Sequence, residues 1–115
     1  MSGTRYADLT GAFEIETYPG QPQMAHCHAF FVRPALRGNG YGHYLKSTQN
    51  ALLQNLQIDY ATCTVLAENN AQISVLKKAG WRRLDVFFDR RQNALVELWG
   101  YRVIAPDHEE KELSY

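Results

Sequence analysis

The sequence predicts one α/β domain: a mixed, mostly antiparallel sheet with two main helices, in the order β-β-β-α-β-α-β-β. Three observations carry this. Apolar and polar residues alternate with a period of two near the N-terminus and again toward the C-terminus, as in half-buried strands. Between those regions, apolar residues recur three or four apart in two stretches, as on helix faces. A β-branched run separates the two helical stretches, so the middle of the chain reads strand–helix–strand. That unit places a parallel pair inside an otherwise antiparallel sheet covered by helices.

Taken in order, Arg5 to Leu9 is a short strand paired across the turn at Thr10-Gly11 with Thr10 to Thr17, where Phe13 and Ile15 face opposite to Glu14 and Glu16. Pro19-Gly20-Gln21-Pro22 breaks the chain. Ala25 to Arg33 is the next strand, with His26, His28, Phe30 and Val32 expected on one face, and Pro34 ends it because it has no amide to give a ladder. Leu45, Thr48, Leu52 and Leu56 form the apolar stripe of the first helix, flanked by Lys46, Gln49, Asn50 and Gln54. Tyr60 to Ala67 suits a buried strand. Asn69-Asn70 caps a second helix that Gly80 stops. Arg83 to Asp89 and Ala94 to Val103 form a closing hairpin around Arg90 to Asn93, and Trp81, Trp99, Phe87 and Phe88 are expected in the core.

Composition narrows the function. At 115 residues the chain makes one domain, placed at residues 1–105, followed by an acidic tail at 106–115 expected to be disordered. Hydrophobic residues at 45% and charged residues at 21% are ordinary globular usage. Twelve basic and twelve acidic side chains cancel, with a pI near 6.9, which argues against nucleic acid as a partner. Arg82, Arg83, Arg90, Arg91 and Arg102 are the one basic group that could gather on a surface. No apolar run approaches the ~20 residues of a membrane helix, mean hydropathy is −0.41, and the first residues lack the apolar core of a secretory signal. Cys27 and Cys63 make neither a disulfide framework nor a metal set, so free thiols in a reducing cytoplasm and no metal are expected.

The chemistry concentrates at Arg37-Gly38-Asn39-Gly40-Tyr41-Gly42, between a strand end and a helix start. Glycines let backbone amides approach a ligand without an intervening Cβ, and a helix N-terminus adds orphan N–H groups and a positive dipole end. The segment is therefore an anion site, most simply for phosphates, or else a tight turn needing positive φ. It is not a P-loop, because Tyr41 and Gly42 follow Gly40 where Lys and Ser/Thr would stand. It is not the dinucleotide fingerprint either, whose third glycine position holds His43.

Arg37-x-x-Gly40-x-Gly42, preceded by Phe30-Phe31-Val32-Arg33-Pro34, resembles the acetyl-CoA motif of the GNAT N-acetyltransferases. A second block, Glu68 to Trp81, resembles that family's other signature, with Asn69 eleven residues before Gly80 and Trp81 in place of the usual Phe. Its Val75-Leu76-x-Lys78-x-Gly80-Trp81 wording is closest to the ribosomal-protein N-terminal acetyltransferase branch. The resemblance implies that the CoA pyrophosphate lies on the amides of Gly38, Asn39, Gly40, Tyr41 and Gly42, with Arg37 adding charge. It implies that the pantetheine arm pairs with backbone groups of Phe30, Phe31 and Val32, freed by a bulge and by splaying from the next strand. Asn69 meets the arm from the other side.

Acetyl transfer needs a neutral amine, which for a lysine at pH 7 costs roughly 4–5 kcal/mol and for an α-amine about 1. Candidates for the base are Glu68, at a strand end beside the cleft, and His28, with His26 on the same face. The position where many relatives carry an acidic Tyr is Leu76, and the Ser of the closer branch is replaced by Gln72. Ser74 is the remaining hydroxyl candidate, although two residues along a helix turns it to another side. An acetyl-cysteine on Cys27 or Cys63 is conceivable, but nothing in the sequence beside either lowers a thiol pKa. The pattern begins almost at once, without the strand and helices that usually wall the acceptor groove, so a protein amine as acceptor and a homodimer are expected. A polyamine is the competing acceptor. The other functional class is a domain that binds acetyl-CoA without catalysis, as a scaffold or interaction protein.

Overall fold

The computed structural model describes residues 3–103. The strands are β1 (Gly3–Ala7), β2 (Gly11–Tyr18), β3 (Gln21–Val32), β4 (Tyr60–Leu66), β5 (Arg82–Asp89) and β6 (Ala94–Arg102). The helices are α1 (Tyr41–Asn55) and α2 (Asn70–Lys78), with a 3-10 turn at Pro34–Leu36. The six strands form one sheet in the order β1-β2-β3-β4-β6-β5, and only β3 and β4 run parallel. The expected element order and mixed sheet are both present. The acidic segment 106–115 lies outside the described residues.

Local chemistry fixes the ends. Asp8 closes the β1–β2 turn by accepting from the Thr10 backbone N–H at 2.7 Å and the Gly11 N–H at 3.2 Å, and the Tyr44 hydroxyl of α1 donates to it at 3.2 Å. Asn69 caps α2 by accepting from the Gln72 N–H at 3.2 Å. Gly80, at φ +90°, lets the Trp81 N–H turn back to the Leu76 carbonyl at 3.0 Å, which satisfies an orphan group and seats Trp81 in the core. Asn50 then ties the helices together: its amide donates to the Ala79 carbonyl and accepts from the Trp81 indole, each at 3.0 Å.

Both helices pack on one face of the sheet over Phe13, Ile15, Cys27, Cys63, Trp81 and Trp99, with Leu45, Leu53 and Leu76 fully buried. Among the described residues, no element covers the other face.

Several details differ from the sequence reading, beginning with β1, which runs Gly3–Ala7 rather than Arg5 to Leu9. β3 begins at Gln21, because the turn is only Pro19-Gly20 and Pro22 sits in a bulged stretch where a missing N–H costs no ladder bond. Ala29, at φ +54°, is a second bulge: Ala12 opposes Phe31 and Glu14 opposes His28, so Phe13 faces two residues. The bulge flips the alternation, leaving His26 and His28 on the open face and turning Phe30 and Val32 onto the core. The buried stripe of α1 is Leu45, Lys46, Gln49 and Leu53, while Leu56 is exposed; the interface is rotated toward two polar residues that the sequence reading put on the flanks. Phe87 and Phe88 are exposed, not in the core, because β5 lies at the edge of the sheet and is exposed on both faces from Arg82 to Phe88.

Candidate active site

The β3–β4 pairing extends only over Met24–His26 with Tyr60–Thr62, and the strands part beyond it. From Cys27 on, β3 has no strand partner on this side among the described residues, and it faces a wedge whose far wall is β4 and α2. The Ala29 bulge interrupts the ladder to β2 as well.

At the mouth of the wedge lies a groove of about 560 Å³. Phe30, Phe31 and Val32 form one wall, Arg37, Gly38, Gly40, Tyr41 and Gly42 the end, and Asn69, Gln72 and Ser74 the other wall. Gly38 and Gly40 sit at φ +82° and +83°, and a Cβ on either would meet nothing within 4 Å. The loop therefore needs glycine for its backbone conformation, and it leaves open space where a ligand would approach. No N–H from Gly38 through Gly42 donates to a backbone acceptor among the described residues, so the donors stand ready at the positive end of α1. Arg37 folds back, its Nε–H donating to the Val32 carbonyl at 2.9 Å, and braces the loop against β3. These features fit a diphosphate with an amide-bearing arm.

At the apex lies a smaller pocket of about 310 Å³ that shares Phe30, Asn69 and Gln72 with the groove. Cys27, Lys46, Gln49, Cys63 and Leu76 line its helix side. Lys46 is 1% exposed and Gln49 0%. Burial pushes the Cys27 thiol up to about 12 and raises Cys63, so both are neutral thiols at pH 7.

His28 lines this apex and also a pocket of about 440 Å³ on the open face, with Glu16, Tyr18 and His26. Its Nε2 lies 2.9 Å from Glu16 Oε1, close in distance but off the line of the ring N–H, so the contact is electrostatic rather than an aligned hydrogen bond. His26 stacks on His28 with ring centroids 6.2 Å apart. Burial, and then the neighbouring His28, lower the pKa of His26. A neutral His26 accepts at Nδ1 from the Thr62 hydroxyl at 2.8 Å, which frees the Tyr18 hydroxyl to donate to Thr62 at 2.6 Å.

The expected residues divide clearly. Phe30, Phe31, Val32, Arg37, Gly38, Gly40, Tyr41, Gly42 and Asn69 all line the groove. Asn39 does not; its side-chain amide donates to the Leu36 and Arg37 carbonyls and holds the loop from behind. Ser74 lines the outer groove and not the apex. Glu68 is exposed in the β4–α2 turn and lines none of the three pockets. His28 alone of the three proposed catalytic groups reaches the apex. Glu16, Lys46 and Gln49 were not singled out from the sequence as site residues. The strand alternation places Glu16 only on the face opposite Phe13 and Ile15, and polar residues in a helical stripe carry no signal of their own.

Among the described residues, no helix is long and apolar enough to cross a membrane, and no group of His, Cys, Asp or Glu is arranged to hold a metal ion. No curated protein matches the chain significantly. Solved structures do match. Ard1 from Thermoplasma volcanium superposes with a TM-score of 0.74 at 18% identity, covering 84% of this chain and 64% of that one. A Bacillus subtilis acetyltransferase in complex with CoA gives 0.73 at 16% identity, covering 89% and 78%. A chimera of the spermidine N-acetyltransferase SpeG from Vibrio cholerae and hSSAT gives 0.76 at 15% identity, covering 88% and 68%. This chain spans 62% of the length of another matched structure, so these likenesses speak for the shared fold. The Acetyltransferase (GNAT) family profile matches residues 5–81, across both the glycine loop and the Asn69–Gly80 block. With the wedge, the bulge and the open amides in place, this chain belongs to the GNAT acetyltransferase family, for which acetyl-CoA is the fitting co-substrate.

Proposed function

We propose that this protein transfers the acetyl group of acetyl-CoA to a primary amine, on a lysine side chain or an N-terminus of another protein. The observation that carries the reading is His28, which lines both the apex of the cofactor wedge and the open-face pocket. Glu16 at Nε2 favours the tautomer with the proton there, leaving Nδ1 to take the proton of an incoming amine. Glu14 and Glu16 on the same face attract an ammonium group before it gives up that proton. The uncovered face leaves room for a large acceptor. A small polyamine is the alternative acceptor, and the neutral thiols of Cys27 and Cys63 suit a reducing cytoplasm.

Calorimetry with acetyl-CoA, followed by assay of CoA release with peptides and polyamines as acceptors, tests this. His28→Gln is expected to lower kcat at least about 100-fold, the usual worth of a general base, while acetyl-CoA affinity is unchanged. Binding with no CoA release across the acceptor panel would overturn catalysis in favour of a cofactor-binding scaffold, a reading that Leu76 at the usual tyrosine position supports.

The reading includes a homodimer through β5. Leu84, Val86, Phe87, Phe88 and Leu95 are exposed on its two faces and on the adjoining strand, and the outer edge of β5 has no strand partner among the described residues. Light scattering at micromolar concentration is expected to give twice the chain mass, and Val86→Lys to give the single mass. A monomeric parent protein would refute the dimer.

A further inference from the structure

The buried stripe of α1 carries a lysine where packing calls for an aliphatic side chain. Lys46 is 1% exposed, and no carboxylate or hydrogen-bond acceptor meets its Nζ among the described residues. The amine lies 4.0 Å from the Trp81 ring centroid and 5.1 Å from that of Phe30. Three residues on, Gln49 is 0% exposed, and both polar atoms of its amide lack partners. A buried donor or acceptor left unpaired bears its desolvation without compensation. Both side chains line the apex pocket, which joins the cofactor groove through Phe30, Asn69 and Gln72.

We propose that Lys46 is a self-acetylation site, modified once per chain by acetyl-CoA held in the wedge. The proposal rests on the acetyl-CoA reading of the groove. The Nζ lone pair adds to the thioester carbonyl carbon from the helix side, opposite to an acceptor arriving on the open face. The C–S bond breaks, CoA leaves as thiolate, and the proton released from Nζ passes to the sulfur. The products are an amide at Lys46 and CoA thiol.

Two features suit Lys46 to this step. Burial without a counter-charge lowers its pKa, which removes much of the deprotonation cost a solvated lysine carries. The titratable groups facing it are Cys27 from β3 and Cys63 from β4; both stay protonated near neutral pH, so neither supplies a counter-anion nor competes as nucleophile. The product also fits. An amide at Nζ presents one N–H and one carbonyl, the complement of the free Oε1 and Nε2 of Gln49. The cavity of about 310 Å³ has room for an acetyl group.

The test incubates the full chain with acetyl-CoA and no acceptor, then measures intact mass and maps the modified peptide. One added acetyl group is expected, on Lys46, slowed by excess CoA and missing from Lys46→Arg. Lys77, Lys78 and Lys111 serve as internal controls. An unmodified Lys46 in a chain that calorimetry shows to bind acetyl-CoA would overturn the proposal and leave the groove reading standing. Acetyl groups spread over the control lysines, insensitive to CoA, would overturn it too. Failure of acetyl-CoA to bind would remove the groove reading and the proposal together.

Discussion

Gly40→Glu is expected to weaken acetyl-CoA binding at least about 100-fold, a loss of roughly 2.7 kcal/mol, while the protein stays folded. Gly40 is the N-cap of α1 at φ +83°, and the space where its Cβ would stand is open. A side chain there clashes with nothing in the protein, so the stability cost is the left-handed backbone alone, about 1–2 kcal/mol. The binding cost is separate and larger. A carboxylate at the helix N-terminus occupies the anion site itself and opposes a diphosphate placed on the same amides, where like charges about 4 Å apart at a protein surface repel by roughly 4 kcal/mol. Gly40→Ala isolates the backbone term and is expected to lose stability with a much smaller loss of affinity. Calorimetry with acetyl-CoA and a melting curve on both variants separate the two contributions. Unchanged affinity in Gly40→Glu would mean that the loop is a structural turn and that the diphosphate binds elsewhere.

The groove end of the candidate site was legible in the sequence because it is built from backbone. Amides that must face a ligand through a left-handed turn restrict residue type to glycine, and Gly38 and Gly40 record that restriction, whereas Gly42, inside α1, makes room for Val75, whose Cγ2 a Cβ would meet at 3.3 Å. The apex end of the candidate site was poorly legible because it depends on direction rather than proximity. Glu68 and Ser74 are near the wedge along the chain, yet the β4–α2 turn sends one to solvent and the helical rotation sends the other to the outer groove. The bulge at Ala29 left no mark in residue type, and it decides that His28 lines the open face while Phe30 faces the core. Lys46 and Gln49 were hidden by the rule that finds helices: a polar residue in an apolar period reads as the edge of the stripe. Phe87 and Phe88 read as core because aromatics usually are, whereas strand order places them at an uncovered edge.

Gly11→Ala is expected to destabilise the fold by about 3 kcal/mol, lowering the melting temperature by roughly 12–20 °C for a domain of this size. Gly11 opens β2 directly opposite Val32, at the stretch of β3 that forms the groove wall. A Cβ there would run into the Phe31 carbonyl oxygen and lie 3.1 Å from Leu45 Cδ2. The first obstacle is backbone, so relief requires the end of β3 to shift; the second is a fully buried side chain on α1. The close approach brings β2, β3 and α1 together beside the cofactor wedge, which couples stability to binding. A shift of Phe31 moves the backbone groups that face the groove, so acetyl-CoA affinity is expected to fall even at temperatures where Gly11→Ala is folded. Gly3→Ala provides the control on the neighbouring strand: its Cβ would meet the Glu16 side chain at 3.4 Å, an ordinary contact, and its stability is expected to change by less than about 0.5 kcal/mol. Equal melting temperatures for the two variants would show that β3 yields without cost at Phe31, and the wedge would then be a compliant opening rather than a preformed one.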